Sequence, residues 1–112
     1  MFKKLQKKLD PVISNLSRPK KISHYVVIGH PMENEIINNP SYTIKIGTDT
    51  EGYCEVSIDG GDWSRCRHAN SFWWFDWANY PLGDHSIIAR ICDSKGSVVI
   101  CKSKSIKCIY KR

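Results

Sequence analysis

Six consecutive residues, Phe72-Trp73-Trp74-Phe75-Asp76-Trp77, carry five aromatic rings. Rings of this kind act by burial and stacking. In an extended segment alternate side chains point to opposite faces. Trp73, Phe75 and Trp77 therefore share one face, and Phe72 and Trp74 share the other. A strand in a two-layer β protein has one side facing the core, so one aromatic set must find another cover. Leaving two large rings in water costs about 1.5–3 kcal/mol each. Three covers are available: the N-terminal residues Phe2, Leu5 and Leu9, a second copy of the protein, or a sugar stacked on the rings. Phe72 and Trp74, with Trp63 and Tyr80, are the candidate binding surface.

Charge is distributed unevenly along the 112 residues, whose net charge is +6. Lys3, Lys4, Lys7, Lys8, Lys20 and Lys21 make residues 1–21 a basic extension, and residues 102–112 are basic without a single acid. The stretch between is acidic. Basic ends attract acidic protein partners, anionic lipid or nucleic acid. The apolar face of the extension is short and lacks Trp, and Arg18 is its only Arg. Lipid or nucleic-acid binding by this segment alone would therefore be weak.

There are five cysteines, an odd number, and no apolar stretch follows the N-terminal lysines as in a secretory signal. The default expectation is a reducing, cytoplasmic setting with free thiols. If Gly60-Gly61 heads a hairpin with a three-residue loop, Cys54 faces Cys66 across two strands, and an oxidised chain could bridge them. A register shift of one residue would put them on opposite faces. Cys54, Cys66 and His68 could gather near that hairpin, but no C-x-x-C pair supports a metal site. No D-x-D-x-D run supports calcium. Nucleophile elbows, phosphate loops and H-E-x-x-H are lacking, so neither catalysis nor a cofactor is expected.

The elements that position these residues are β-strands separated by turn signals. Apolar residues at Phe2, Leu5, Leu9, Val12, Ile13 and Leu16 have helical spacing, so residues 2–17 are expected to form a kinked helix or two short ones. Residues 22–112 form the second unit. Short β runs occur at Tyr25 to Gly29 and Ile36-Ile37. Tyr42 to Thr48 alternates Tyr42, Ile44 and Ile46 inward. Tyr53 to Asp59 places Cys54, Val56 and Ile58 inward, and Gly60-Gly61 supplies the positive φ angles of a tight hairpin. Trp63 starts the return strand, and Phe72 to Trp77 is the next. Tyr80-Pro81-Leu82-Gly83 fits a β-turn. His85 to Asp93 follows, with His85 a satisfied structural histidine on the apolar face. Gly96 turns the chain into a final, bent strand from Ser97 to Ile109. Strands at this spacing specify an antiparallel β-sandwich.

The series Val56-Ser57-Ile58-Asp59-Gly60-Gly61-x-Trp63, then the aromatic run, then Gly83-x-His85-x-Ile87-x-Ala89-Arg90-x-x-Asp93-x-x-Gly96 resembles bacterial immunoglobulin-like domains. These are the fibronectin-III-like or early-set modules of secreted and cell-surface proteins. The resemblance covers about residues 25–108. It implies an all-β, immunoglobulin-like sandwich of about seven strands, here with a short N-terminal helical extension, acting as a spacer, docking face or accessory module. The strand at Tyr42 to Thr48 has no Cys, so the inter-sheet disulfide of antibody domains is lacking, and no Tyr stands at the position of a tyrosine corner. The expected role is a non-catalytic interaction or structural module that self-associates or binds a protein partner through the aromatic strand. A carbohydrate-binding accessory domain, or an adaptor led by the N-terminal lysines, is the alternative.

Overall fold

A computed structural model describes residues 24–96 and 98–112. The basic extension, with its expected helix, lies outside the described residues. Ten strands follow in order: β1 (Val26–His30), β2 (Glu35–Ile37), β3 (Ser41–Thr48), β4 (Tyr53–Ile58), β5 (Ser64–Arg65), β6 (Arg67–Ala69), β7 (Phe72–Ala78), β8 (Gly83–Cys92), β9 (Val99–Lys102) and β10 (Ile106–Tyr110). Among the described residues there is no helix, hence none long and apolar enough to cross a membrane.

One sheet has the order β1-β3-β7-β6 and the other β2-β10-β8-β4-β5, with β9 pairing β8 beside β10. All pairs are antiparallel except β2 with β10. The inner faces meet where alternation directs them. Ile44 and Ile46 of β3 and Trp77 of β7 oppose Cys54 and Val56 of β4 and Ile87, Ala89 and Ile91 of β8. Ile44, Ile46, Cys54, Ile87, Ala89, Ile91 and Cys108 are fully excluded from solvent.

The fold is the expected two-sheet sandwich, but with more strands than seven. Three long strands are broken, each for a local reason. Pro31 and a turn through Asn34 let β1 join one sheet and β2 the other. At Ser103 the last strand is interrupted: its N–H donates to the Ala89 carbonyl and its hydroxyl accepts from the Ala89 N–H, which separates β9 from β10. The expected return strand from Trp63 is only the two-residue β5. The chain then crosses at Cys66 and enters the opposite sheet as β6.

The hairpin after β4 also differs in detail. Its left-handed residues are Asp59 (φ 55°) and Gly60 (φ 74°), not Gly60 and Gly61. Gly61 N–H closes the turn on the Ile58 carbonyl at 3.0 Å. Asp59 tolerates that conformation because its carboxylate is used locally. It accepts from the Ser86 N–H at 2.8 Å and lies 2.6 Å from His85 Nδ1.

Candidate interaction surface

Strand β7 divides its rings as alternation requires. Trp77 is buried in the core, with Phe75 and Trp73 packed against it. Phe72 and Trp74 lie on the outer face of the four-stranded sheet. Register places Trp74 between Lys45 of β3 and Arg67 of β6. The outer rings are half-buried by their own sheet. Lys45 extends its ammonium over the Phe72 ring, 4.0 Å from the centroid, and stands 5.8 Å from the Trp74 centroid. Trp74 Nε1 donates to the Ala69 carbonyl at 2.8 Å. The two rings meet edge to face, 6.1 Å apart at 71°.

Two glycines flatten the rest of this face. Val27 of β1 pairs with Gly47 of β3, and a Cβ on Gly47 would lie 3.7 Å from the Phe72 ring. A Cβ on Gly29 would lie 3.8 Å from the Lys45 stem. Without side chains at 29 and 47, the apolar strip runs level from Phe72 across to Val27. Tyr25 and Val27 are about half exposed at its edge, 52% and 53%. Charge on the far rim is internally matched: Arg67 Nη2 lies 3.3 Å from an Asp76 carboxylate oxygen, and Thr43 donates to the same oxygen at 3.1 Å. The Arg67 and Thr43 hydrogen bonds hold the Asp76 carboxyl below its usual range.

The structure does not unite the four residues of the expected surface. Trp63 lies on the outer face of the other sheet, where Arg90 stacks on it at 4.0 Å and salt-bridges Glu55 at 2.8 Å. Tyr80 is buried, not exposed. Its ring packs on Trp77 with centroids 3.9 Å apart, and its hydroxyl donates to the Asn39 carbonyl. This ties the β7–β8 turn to the β2–β3 turn, a Tyr-to-backbone anchor like a tyrosine corner but reaching a distant segment. Alternation could not reveal it, because Tyr80 sits in a turn. Lys45, Gly47 and Val27 escaped the sequence reading for a different reason. Their outward parity was legible, but their adjacency to Phe72 depends on β3 lying between β1 and β7.

His85 is the satisfied structural histidine that the sequence suggests. It is 5% exposed, with Nδ1 at 2.6 Å from Asp59 and Nε2 at 2.7 Å from the Pro81 carbonyl. Burial pulls its pKa down, but the Asp59 hydrogen bond, the Pro81 carbonyl and the charges of Asp59 and Asp84 outweigh it, so the net shift is upward. Cys54 and Cys66 are both buried thiols, and the Cys66 N–H donates to the Cys54 carbonyl at 2.9 Å. His68 does not join them but packs on Trp73, with centroids 4.8 Å apart. Among the described residues no group of three or more His, Cys, Asp or Glu is placed to hold a metal ion.

The architecture is that of fibronectin-III-like β-sandwiches. A fibronectin(III)-like module of Clostridium thermocellum CbhA superposes with a TM-score of 0.63 at 15% identity, covering 78% of this chain and 96% of that one. An engineered protein superposes with a TM-score of 0.62 at 12% identity over 80% of this chain, which spans about a fifth (20%) of that protein's length. No protein-family model matches the sequence, and no curated protein matches it. The likeness establishes the immunoglobulin-like, fibronectin-III-like sandwich fold.

Proposed function

We propose that this domain is a non-catalytic interaction module whose contact surface is the outer face of the β1-β3-β7 sheet, and that its partner there is a second copy of the protein. Fibronectin-III-like modules are generally non-enzymatic. The observation that carries the reading is the level strip of Phe72, Gly47 and Val27, continued by the exposed Tyr25. A strip of this kind is self-complementary across a two-fold axis, which is the commonest symmetry of homo-oligomers. Among the described residues, its cations are Lys45, seated on the rings, and Arg67, paired with Asp76. Two such faces can therefore meet with each cation held by a ring or carboxylate of its own chain.

Two features favour a protein contact over a sugar. The outer rings stand edge to face and offer no flat platform, and the face of Phe72 is already occupied by the Lys45 ammonium. Anionic lipid and nucleic acid are weaker readings because their binding would rest on charge alone.

The test is mass against concentration by light scattering. The wild-type protein is expected to gain mass as concentration rises, and Val27→Glu is expected to stay monomeric, because it places two carboxylates in a desolvated contact. A constant monomer mass for the wild type up to millimolar concentration rejects the self-contact.

A further inference from the structure

We propose that Cys54 and Cys66 are a modification site: they join in an intramolecular disulfide when the chain folds in the presence of a small-molecule disulfide such as oxidised glutathione, whereas the folded, reduced protein resists the same reaction.

The register carries the pairing. Glu55 is opposite Arg65 and Val56 is opposite Ser64 in the β4–β5 ladder, which puts Cys54 opposite Cys66 one step further on. The hydrogen bond from the Cys66 N–H to the Cys54 carbonyl, 2.9 Å, holds the two backbones at cross-strand distance. Both side chains enter the core, at 0% and 4% exposure. Directly opposed Cβ atoms stand about 4.5–5.5 Å apart, and a disulfide needs about 3.5–4.5 Å. Cys66 can close that difference because it belongs to neither β5 nor β6 but to the crossing between them.

The remaining cysteines are engaged elsewhere, and Cys92 lies opposite Tyr53 in the β4–β8 ladder while Cys54 lies opposite Ile91. Cys92 donates to Glu55 at 3.5 Å, Cys101 donates to the His24 carbonyl at 3.5 Å, and Cys108 is buried on β10.

The same geometry explains the order of events. Exchange requires a thiolate that a disulfide can reach. In the folded protein the hydrogen bond to the Cys66 thiol and then burial push the Cys54 thiol up, far from ionisation at neutral pH. Neither sulfur is accessible. During folding both thiols are still hydrated. One thiolate attacks glutathione disulfide and expels glutathione thiolate, giving a mixed disulfide. The second protein thiolate then attacks the protein sulfur of that mixed disulfide and expels the second glutathione. Two protein thiols are oxidised, one glutathione disulfide is reduced to two glutathione thiols, and the protons end on the glutathione.

The experiment compares two samples of the full chain: reduced, denatured protein refolded with oxidised glutathione, and native reduced protein held with the same reagent for the same time. Remaining thiols are alkylated, and the chain is cut with trypsin, which cleaves after Arg65 and separates the two cysteines. The expected result is a linked Cys54–Cys66 peptide as the main species in the refolded sample, at least tenfold scarcer in the native sample, with the β-rich circular dichroism retained. Cys66→Ala, refolded in the same way, should form no intramolecular disulfide, Cys54 ending as a thiol or as a glutathione mixed disulfide. A refolded protein with all five thiols free, a bridge to Cys92, Cys101 or Cys108 in its place, or equal bridging of the native sample overturns the proposal.

Discussion

The ammonium of Lys45 sits 4.0 Å from the centre of the Phe72 ring, with its stem over the bare backbone of Gly29. The side chain therefore covers aromatic surface that the core cannot take and rests its charge on the face of the ring. A cation seated this way on an exposed ring contributes about 0.5–1 kcal/mol. A double-mutant cycle of Lys45→Met with Phe72→Leu, measured by urea unfolding, should return a coupling energy of about that size. A coupling near zero would show that the contact is only proximity.

The pair His85 and Asp59 makes stability depend on pH. The imidazole must donate from both nitrogens to serve Asp59 and the Pro81 carbonyl together, which requires the protonated ring. Its pKa is raised in the folded state, against about 6.5 in the unfolded chain. The contribution is thus fully present below about pH 6.5 and is lost as pH rises through the higher folded value. Unfolding midpoints measured between pH 6 and pH 9 should fall with rising pH, and His85→Gln should flatten the slope. A wild-type slope unchanged by the substitution contradicts this assignment.

Tyr80 offers a separable test of its two roles. Tyr80→Phe keeps the stacking on Trp77 and removes the hydrogen bond to Asn39. It should cost about 0.5–1.5 kcal/mol, somewhat more if the carbonyl finds no water. Tyr80→Ala removes both and should cost about 3–5 kcal/mol. Denaturant midpoints distinguish the two, and equal losses would place all the energy in the hydrogen bond.

Gly52 has φ 140°, and a Cβ there would lie 1.9 Å from the Cys92 carbonyl oxygen. Gly52→Ala should therefore destabilise the domain by more than about 2 kcal/mol, since both strain and a backbone clash must be relieved. Gly47→Ala is the control: its Cβ meets the Phe72 ring at ordinary contact distance, and it should stay within about 1 kcal/mol of wild type.

Much of the sandwich is legible in the sequence because its strands are long enough for alternation to register. Ile44 and Ile46, Cys54 and Val56, and His85, Ile87, Ala89 and Ile91 all face inward as their parity requires. The division of the aromatic run into Trp73-Phe75-Trp77 and Phe72-Trp74 follows from the same rule. What escaped is what depends on pairing between distant segments. The crossing at Cys66 leaves β5 and β6 with two and three residues, too few for any periodicity. Tyr80 sits in a turn that alternation does not govern, yet its ring fills the space beside Trp77 and its hydroxyl has a carbonyl to meet. The sequence points to Gly61 and not to Asp59 as the second left-handed residue, since the carboxylate partners that offset the cost at Asp59 lie on β8, 26 and 27 residues away.

In the proposed self-contact, Trp74 and its neighbours on the outer face meet a second copy of the protein while the inner rings stay within the sheet. The most direct measurement is the ¹⁹F spectrum of 5-fluorotryptophan-labelled protein over a hundredfold dilution, with the Trp74 signal assigned by Trp74→Phe. If two copies meet on this face, the Trp74 resonance shifts with concentration, the Trp77 resonance does not, and Val27→Glu abolishes the shift. A Trp74 resonance that stays fixed across the dilution, or moves equally in Val27→Glu, contradicts it.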